Sequence, residues 1–198
     1  MHVSVRVLRS LPSLRGRHLW EAVRRALVKT CKKDRFRIVH FSVQGEHIHL
    51  LCEAADRRAL SAGVQGFKIS VAKRINARLD REGTVFPQRY HERIIESPTD
   101  CRATIAYILC NQRHHAYDQG ATLPRGHVDP CSSARHFDGW TVQHPPPWKH
   151  AAGGIGDDAV CAPAESFLLK HGWRRGGGLI SPDHIPALPP GAPPPPEW

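Results

Sequence analysis

The apolar positions alternate in two stretches near the start of the chain, which is typical of half-buried β-strands. Apolar and polar side chains alternate over residues 2–8, which are also rich in β-branched side chains, so this stretch predicts a first strand. Residues 35–43 are apolar, turn at Gln44-Gly45-Glu46, and lead into a further apolar stretch at residues 47–53. We expect these two stretches to form a hairpin.

Between and after these strands the apolar residues recur at the three- and four-residue spacing of helices. The first helix is indicated by Leu19, Val23, Ala26, Leu27 and Thr30. A second, longer one is indicated by Leu60, Val64, Phe67, Val71, Ile75 and Leu79. Residues 84–95 predict a fourth strand, in which Pro87 should lie either on an edge of the sheet or at the start of the strand.

The clearest helix start follows this strand. Ser97 suits the N-cap, Pro98 suits the first helical position, and Asp100 stands three residues after the cap. This helix should run to about residue 111 or 114. Tyr107 and Asn111 lie four residues apart, so they share one side of it, away from the apolar side.

The order strand, helix, strand, strand, helix, strand predicts an α+β fold, the ferredoxin-like split βαβ arrangement, with an antiparallel four-stranded sheet. An extra C-terminal helix follows it. Because side chains alternate along a strand, His47 and His49 project together, opposite to Ile48 and Leu50. If the apolar side faces the helices, the histidines lie on the open face of the sheet, where the extra helix could bring Tyr107 and Asn111 to them.

Proline and glycine mark a boundary near residue 117, since 14 of the 17 prolines and 11 of the 16 glycines follow it. We expect a domain at residues 1–116 and an irregular Pro/Gly-rich extension at residues 117–198. Within the extension, residues 164–171 predict a short helix, and residues 189–196 predict a polyproline II or disordered end. Trp173, followed by Arg174 and Arg175, would either stack on a nucleic-acid base or pack back on the body.

Charge is the compositional feature that adds most to this picture. The net charge is +10, and residues 1–116 hold 22 of the 28 Lys and Arg but only 10 of the 18 Asp and Glu. This excess predicts a polyanionic partner for the first domain. The sequence contains no apolar run as long as a membrane span and no signal segment, and its six cysteines lack disulfide or C-x-x-C spacing, so we expect a cytoplasmic protein with reduced thiols.

Two imidazoles and a carboxamide oxygen could hold a divalent ion, Mg²⁺ or Mn²⁺, with positions left open for a phosphate oxygen. A tyrosine beside such an ion is a candidate nucleophile for phosphorus, although its usual pKa of about 10 means that it needs help in losing its proton. Among the three tyrosines, Tyr107 is favoured over Tyr90 and Tyr117 because it lies on a well-capped helix with Asn111 one turn later.

Four motifs together resemble the single-tyrosine HUH transposases, particularly the REP-associated tyrosine transposases, over about residues 2–115. They are His47-Ile48-His49 with the following leucines, the Gly66-Phe67-Lys68 helix, residues 86–95, and residues 107–111. The resemblance implies a metal-dependent endonuclease and strand transferase that acts on single-stranded DNA, often near hairpins. It implies that His47 and His49 are metal ligands, that Asn111 is the third ligand, and that Tyr107 forms a 5′-phosphotyrosine and frees a 3′-hydroxyl.

The sequence departs from the family pattern at two places. Gln112 follows Asn111 where the REP-associated group favours proline, and Gly45-Glu46 precedes the first histidine where Pro-Asn is common. Basic residues predicted to contact the DNA backbone are Arg24, Arg25, Lys68, Lys73, Arg74, Arg78, Arg89 and Arg93. Two other functions stay open: a DNA-binding protein with this fold that does not cleave, and a phosphodiesterase that uses water. The sequence also leaves a monomer and a homodimer with exchanged helices open.

Overall fold

The sheet is antiparallel and has five strands, in a computed structural model that describes residues 1–142 and 160–187. The strands are β1 (His2–Arg6), β2 (Lys32–Lys33), β3 (Phe36–Val43), β4 (His47–Ala54) and β5 (His91–Arg93), in the order β2-β3-β4-β1-β5. The predicted α+β fold is confirmed, and the sheet exceeds the predicted four strands by the two-residue β2, which pairs with the start of β3.

Two helices cover one face of this sheet, α1 (Arg17–Thr30) and α2 (Arg57–Arg78). Their apolar residues form the main core together with Ile48, Leu50 and Cys52 of β4, all fully buried. Because side chains alternate along β4, His47 and His49 project from the opposite face. Among the described residues, no helix is long and apolar enough to cross a membrane.

The opposite face carries α3 (Pro98–Leu109). Ser97 caps it as expected, with its Oγ accepting a hydrogen bond from the Asp100 backbone N–H at 3.1 Å. The helix ends where Cys110 leaves helical geometry (φ −101°, ψ 14°), and α4 (Asn111–Asp118) then begins. The expected single helix to residue 111 or 114 is therefore two helices, joined at a bend directly before Asn111.

The predicted fourth strand is much shorter than expected, since only His91–Arg93 pair with β1. Before it the chain follows α2 instead, held by the Lys68 Nζ, which donates to the Gln88 carbonyl at 2.8 Å. Two features explain this course: Gly83 has a positive φ of 92°, and Pro87 has no N–H to offer a sheet partner.

Part of the C-terminal extension packs against the side of α3 that faces away from the sheet. Trp173, only 2% exposed, is the largest buried side chain of the cluster formed there, so its ring packs on the body and is not free to stack on a base. Contact is close at Gly176, where a Cβ would lie 2.3 Å from the Pro98 carbonyl oxygen. As a result, residues 104–109 of α3 are buried without interruption.

Within the extension, the short helix predicted at residues 164–171 is a single turn, Phe167–Lys170, followed by a 3₁₀ turn at Gly172–Gly176. Another 3₁₀ turn occupies Ser133–His136. The predicted polyproline end at residues 189–196 lies outside the described residues. The division into domains at residues 116 and 117 stays a prediction.

Candidate functional site

The candidate site is built around the histidine pair on β4. His47 and His49 project from the face of the sheet that carries α3, with ring centroids 4.9 Å apart and ring planes nearly perpendicular. On the neighbouring strand β1, Arg6 lies opposite His47 and Ser4 lies opposite His49. The backbone of two paired strands therefore sets the separation of the two imidazoles.

Helix α3 brings Tyr107 to this pair. The Tyr107 and His49 ring centroids are 5.2 Å apart in an edge-to-face arrangement, and Tyr107 is only 6% exposed. The bend at Cys110 then places Asn111, fully buried, at the start of α4. The structure thus brings together Tyr107, the histidine pair and the helix start at Asn111, while their chemical roles stay predictions.

Two further histidines reach the site without having been predicted. The Nε2 of His2 lies 3.1 Å from the Nδ1 of His49, and the ring of His115 lies 5.4 Å from that of His47. Sequence signals for both existed. His2 shares its side of β1 with Ser4 and Arg6, and His115 follows Asn111 by four residues, hence on the same side of a helix.

Burial keeps these imidazoles neutral. It lowers the pKa of His47 to about 3 and that of His2 to about 4, with nearby positive groups adding to each shift. For His49, burial, followed by the neighbouring imidazoles, lowers the pKa well below its usual value. A neutral imidazole keeps a lone pair that can bind a metal ion. Burial also raises the pKa of the Tyr107 phenol, and the Asn111 amide opposes that shift.

The buried polar atoms of the site fit a metal ion by their chemistry. The Nε2 atoms of His49 and His115 and both amide atoms of Asn111 are buried, and within the described residues none makes a hydrogen bond of normal geometry, although the Asn111 amide lies close enough to the Tyr107 phenol to lower its pKa. Such atoms are costly unless something satisfies them. Two imidazole nitrogens and a carboxamide oxygen suit a divalent ion. The described part of the chain contains no group of three or more His, Cys, Asp or Glu arranged to hold one.

Comparison with known proteins places this arrangement in a family. The family model described as "Transposase IS200 like" matches residues 2–110, more than half of the chain and all the elements that build the site except α4. The chain belongs to the IS200-like transposase family. The resemblance drawn from the sequence motifs is thereby confirmed.

A solved structure of a REP-associated tyrosine transposase bound to a REP hairpin has the same fold, with a TM-score of 0.53 and 20% identity. The match covers 83% of this chain and 92% of that one. That share is larger than residues 2–110, so the superposition includes part of the C-terminal extension. Among curated protein sequences, none matches the chain.

The two departures from the family pattern each form a specific contact in this transposase. Glu46, before the first histidine, forms an ion pair with Arg6 on β1. Gln112, in the position after Asn111, lies 2.8 Å from the Nε2 of His127. It also borders the ion pair in which Arg15 donates to both carboxylate oxygens of Asp129 at 2.8 and 2.9 Å. The extension therefore anchors the first turn of α4.

The eight basic residues predicted to bind DNA are placed differently from one another. Arg24 is buried and Arg25 is exposed, and both form ion pairs with Glu21. Arg93 donates to the carboxylate of Asp100 and to the hydroxyl of Thr104. Exposed positions are held by Lys73, Arg78 and Arg89, and half-buried ones by Lys68 and Arg74. Their contact with DNA stays a prediction.

Proposed function

We propose that the protein is a divalent-metal-dependent endonuclease and strand transferase for single-stranded DNA, with Tyr107 as the nucleophile. The observation that carries this proposal is the buried phenol of Tyr107 against His49, whose Nε2 is buried without a hydrogen-bond partner among the described residues. Family membership supports a transposase, and the geometry supports the choice of residues.

In the proposed reaction, the Tyr107 oxygen attacks a backbone phosphorus. The new bond to phosphorus forms as the bond to the 3′ oxygen of the preceding nucleotide breaks. One DNA end is then held as a 5′-phosphotyrosine, and the other leaves as a 3′-hydroxyl that has in effect received the phenol proton. A second 3′-hydroxyl can reverse the same step and rejoin strands, which is strand transfer.

His47, His49 and Asn111 would hold the ion, Mg²⁺ or Mn²⁺. The bound ion supplies positive charge that stabilises the phosphate oxygens in the transition state and favours the ionised phenol. His2 would act on His49 as a positioning residue: by engaging Nδ1 it leaves Nε2 as the nitrogen that can bind the ion. The raised pKa of Tyr107 means that the phenol stays protonated at neutral pH until such charge is present.

The proposed substrate is hairpin DNA with single-stranded flanks. The related structure contains a REP hairpin, and the first 116 residues of this chain hold most of its positive charge. Exposed basic residues on α2 and after it, such as Lys73, Arg78 and Arg89, would bind phosphates without reading sequence.

A covalent-adduct assay tests the proposal. The protein is incubated with a labelled single-stranded hairpin DNA and Mg²⁺ or Mn²⁺, and the denatured mixture is examined for labelled protein. We expect an adduct with the wild type and with Tyr117→Phe, since Tyr117 is 62% exposed on α4. Tyr107→Phe should give no adduct, and His47→Ala and EDTA should each suppress it.

Other results would favour the alternatives. Tight hairpin binding with no adduct under any metal condition would point to a DNA-binding protein that does not cleave. Cleavage that survives Tyr107→Phe but not His47→Ala would point to a phosphodiesterase that uses water. An undiminished adduct with Tyr107→Phe would refute the assignment of the nucleophile.

A further inference from the structure

A groove lies between the outer side of α2 and the segment of residues 83–90 that follows it, with a volume of about 460 Å³. It is separate from the candidate site, because α2 and the histidine pair lie on opposite faces of the sheet. We propose that this groove binds an unpaired nucleotide of single-stranded DNA, with its base against an aromatic ring and its phosphate on two cations. The inference rests on the proposed function in so far as DNA is the ligand.

The charge of the groove favours a phosphate. Lys68 and Arg89 line it, and its lining includes no acidic residue. Lys68 donates to the Gln88 carbonyl at 2.8 Å, and an ammonium has three donors, so two remain for a ligand. Arg89 is exposed and offers a planar guanidinium at the opening. A neutral or cationic peptide would find no complementary charge here.

The apolar surface of the groove favours a base. Phe86 and Tyr90 are half-buried, pack against the main core and line the groove, and the Lys68 ammonium lies 5.3 Å from the centre of the Phe86 ring. Ile69 is 48% exposed on the same surface. Flat apolar surface beside cations is the combination with which proteins bind single strands, because every base has an aromatic face.

The groove is already formed in the protein without DNA. The Leu8 backbone N–H donates to the Val85 carbonyl at 2.9 Å, and the Asn76 side chain donates to the Gly83 carbonyl at 2.8 Å. Together with the bond from Lys68, these contacts fix the segment at three points along its length. A preformed site loses little conformational entropy on binding. Its volume also falls within the usual range for small-ligand sites.

Distance from Tyr107 gives the groove a defined role. It would add affinity for DNA flanking the hairpin without touching the reacting phosphate. Substitutions in the groove should therefore weaken binding while leaving the rate of adduct formation at saturating DNA unchanged. A residue that acts through the candidate site would lower that rate instead.

Equilibrium binding in EDTA, which keeps the DNA intact, tests the inference with three probes. They are a stem-loop with a tail of unpaired thymidines, the same stem-loop with an abasic tail, and the blunt stem-loop. The wild type should bind the thymidine tail roughly 5- to 140-fold more tightly than the abasic tail, the range for one stacked base. Tyr90→Phe should keep this preference, and Tyr90→Leu should reduce it to less than about twofold.

The cations are tested by the salt dependence of binding to the thymidine tail. Lys68→Gln and Arg89→Gln should each weaken binding and reduce the slope of log K against log salt by about one. Lys170→Gln and Arg125→Gln remove the same charge from exposed positions in the C-terminal extension and should leave the slope unchanged. Equal effects of all four variants would overturn the phosphate contact.

Photocrosslinking of the wild type avoids dependence on any variant. A tail that contains 5-iododeoxyuridine should crosslink to Phe86 or Tyr90, identified by mass spectrometry of the peptides. Crosslinks confined to other segments, or equal affinity for thymidine and abasic tails, would overturn the inference. The adduct assay is a separate measurement. A preference for the thymidine tail without an adduct would support base binding in the groove and refute the proposed cleavage. An adduct without this preference would support the cleavage and refute base binding in the groove.

Discussion

Replacing Asn111 by leucine should stabilise the metal-free protein. The substitution keeps a branched side chain and removes two fully buried polar atoms that make no hydrogen bond of normal geometry within the described residues, their one polar contact being with the Tyr107 phenol. A buried polar group left unsatisfied costs about 1–3 kcal/mol. We therefore expect the free energy of unfolding of Asn111→Leu in EDTA to rise by about 1–3 kcal/mol.

The same substitution should remove most of the stabilisation by metal. At a free concentration of 100 times its Kd, an ion that binds only the folded protein adds about 2.7 kcal/mol to the free energy of unfolding. The wild type should show this gain with Mn²⁺, and Asn111→Leu should show much less of it, because the carboxamide oxygen is one of the proposed ligands. Asn111 would thus lower the free energy of unfolding of the metal-free protein and raise that of the metal-bound protein.

Urea denaturation with and without Mn²⁺ measures both effects. Asn76→Leu serves as the comparison, because the Asn76 Nδ2 donates to the Gly83 carbonyl at 2.8 Å and only its Oδ1 is unpartnered, so this variant should be less stable than Asn111→Leu relative to the wild type. Metal-free Asn111→Leu that is less stable than the wild type by more than about 1 kcal/mol would refute the reasoning on the unsatisfied amide. Equal stabilisation of the wild type and of Asn111→Leu by Mn²⁺ would refute Asn111 as a metal ligand.

Three other changes test the structure more widely. Trp173→Ala should lower the free energy of unfolding by about 3–5 kcal/mol in urea denaturation, since it empties the centre of the cluster around α3, and a loss below 1 kcal/mol would contradict that packing. Asp129→Ala should cost about 3 kcal/mol by leaving Arg15 without its carboxylate, and Asp129→Asn less, measured in the same way. Burial lowers the pKa of His40 to about 4, so as pH falls below 6.5 the unfolded chain takes up a proton on this imidazole before the folded protein does. The free energy of unfolding should therefore drop by up to about 1.4 kcal/mol per pH unit between pH 6.5 and 4. His40→Gln should remove this contribution from the pH dependence of the free energy of unfolding.

Local patterns were sufficient to predict most of the fold. The helices at Arg17–Thr30 and Arg57–Arg78 follow the three- and four-residue spacing of their buried side chains, and Ser97 with Pro98 marks the start of α3. The strand prediction was wrong for residues 84–90, where Pro87 was compatible with a strand at the edge of the sheet or with the start of one. What decides their course is contact with α2, which lies outside the local sequence.

The geometry of the candidate site followed from alternation along β4 and from the spacing of Tyr107 and Asn111. The break between α3 and α4 at Cys110 had no local sequence signal. It is a small change, since the Cys110 amide still donates to the Ala106 carbonyl and only the backbone angles depart from helical values. The sequence did not single out His115, because histidine is frequent in this chain and the helix was expected to end before this residue. The ion pair between Arg15 and Asp129 that borders Gln112 of α4 joins residues 114 positions apart in the sequence, a distance at which composition and periodicity predict nothing.

The burial of α3 on both sides has a kinetic consequence. The helix that carries Tyr107 lies between the sheet and the extension, with Trp173 and the close approach at Gly176 behind it. To exchange this helix with a second copy, a molecule must first release the extension, so exchange should proceed no faster than partial unfolding. If two copies exchange this helix, proteins bearing Tyr107→Phe and His47→Ala should restore each other's activity slowly when mixed after folding, and faster when refolded together; a monomer should show no restoration in either case.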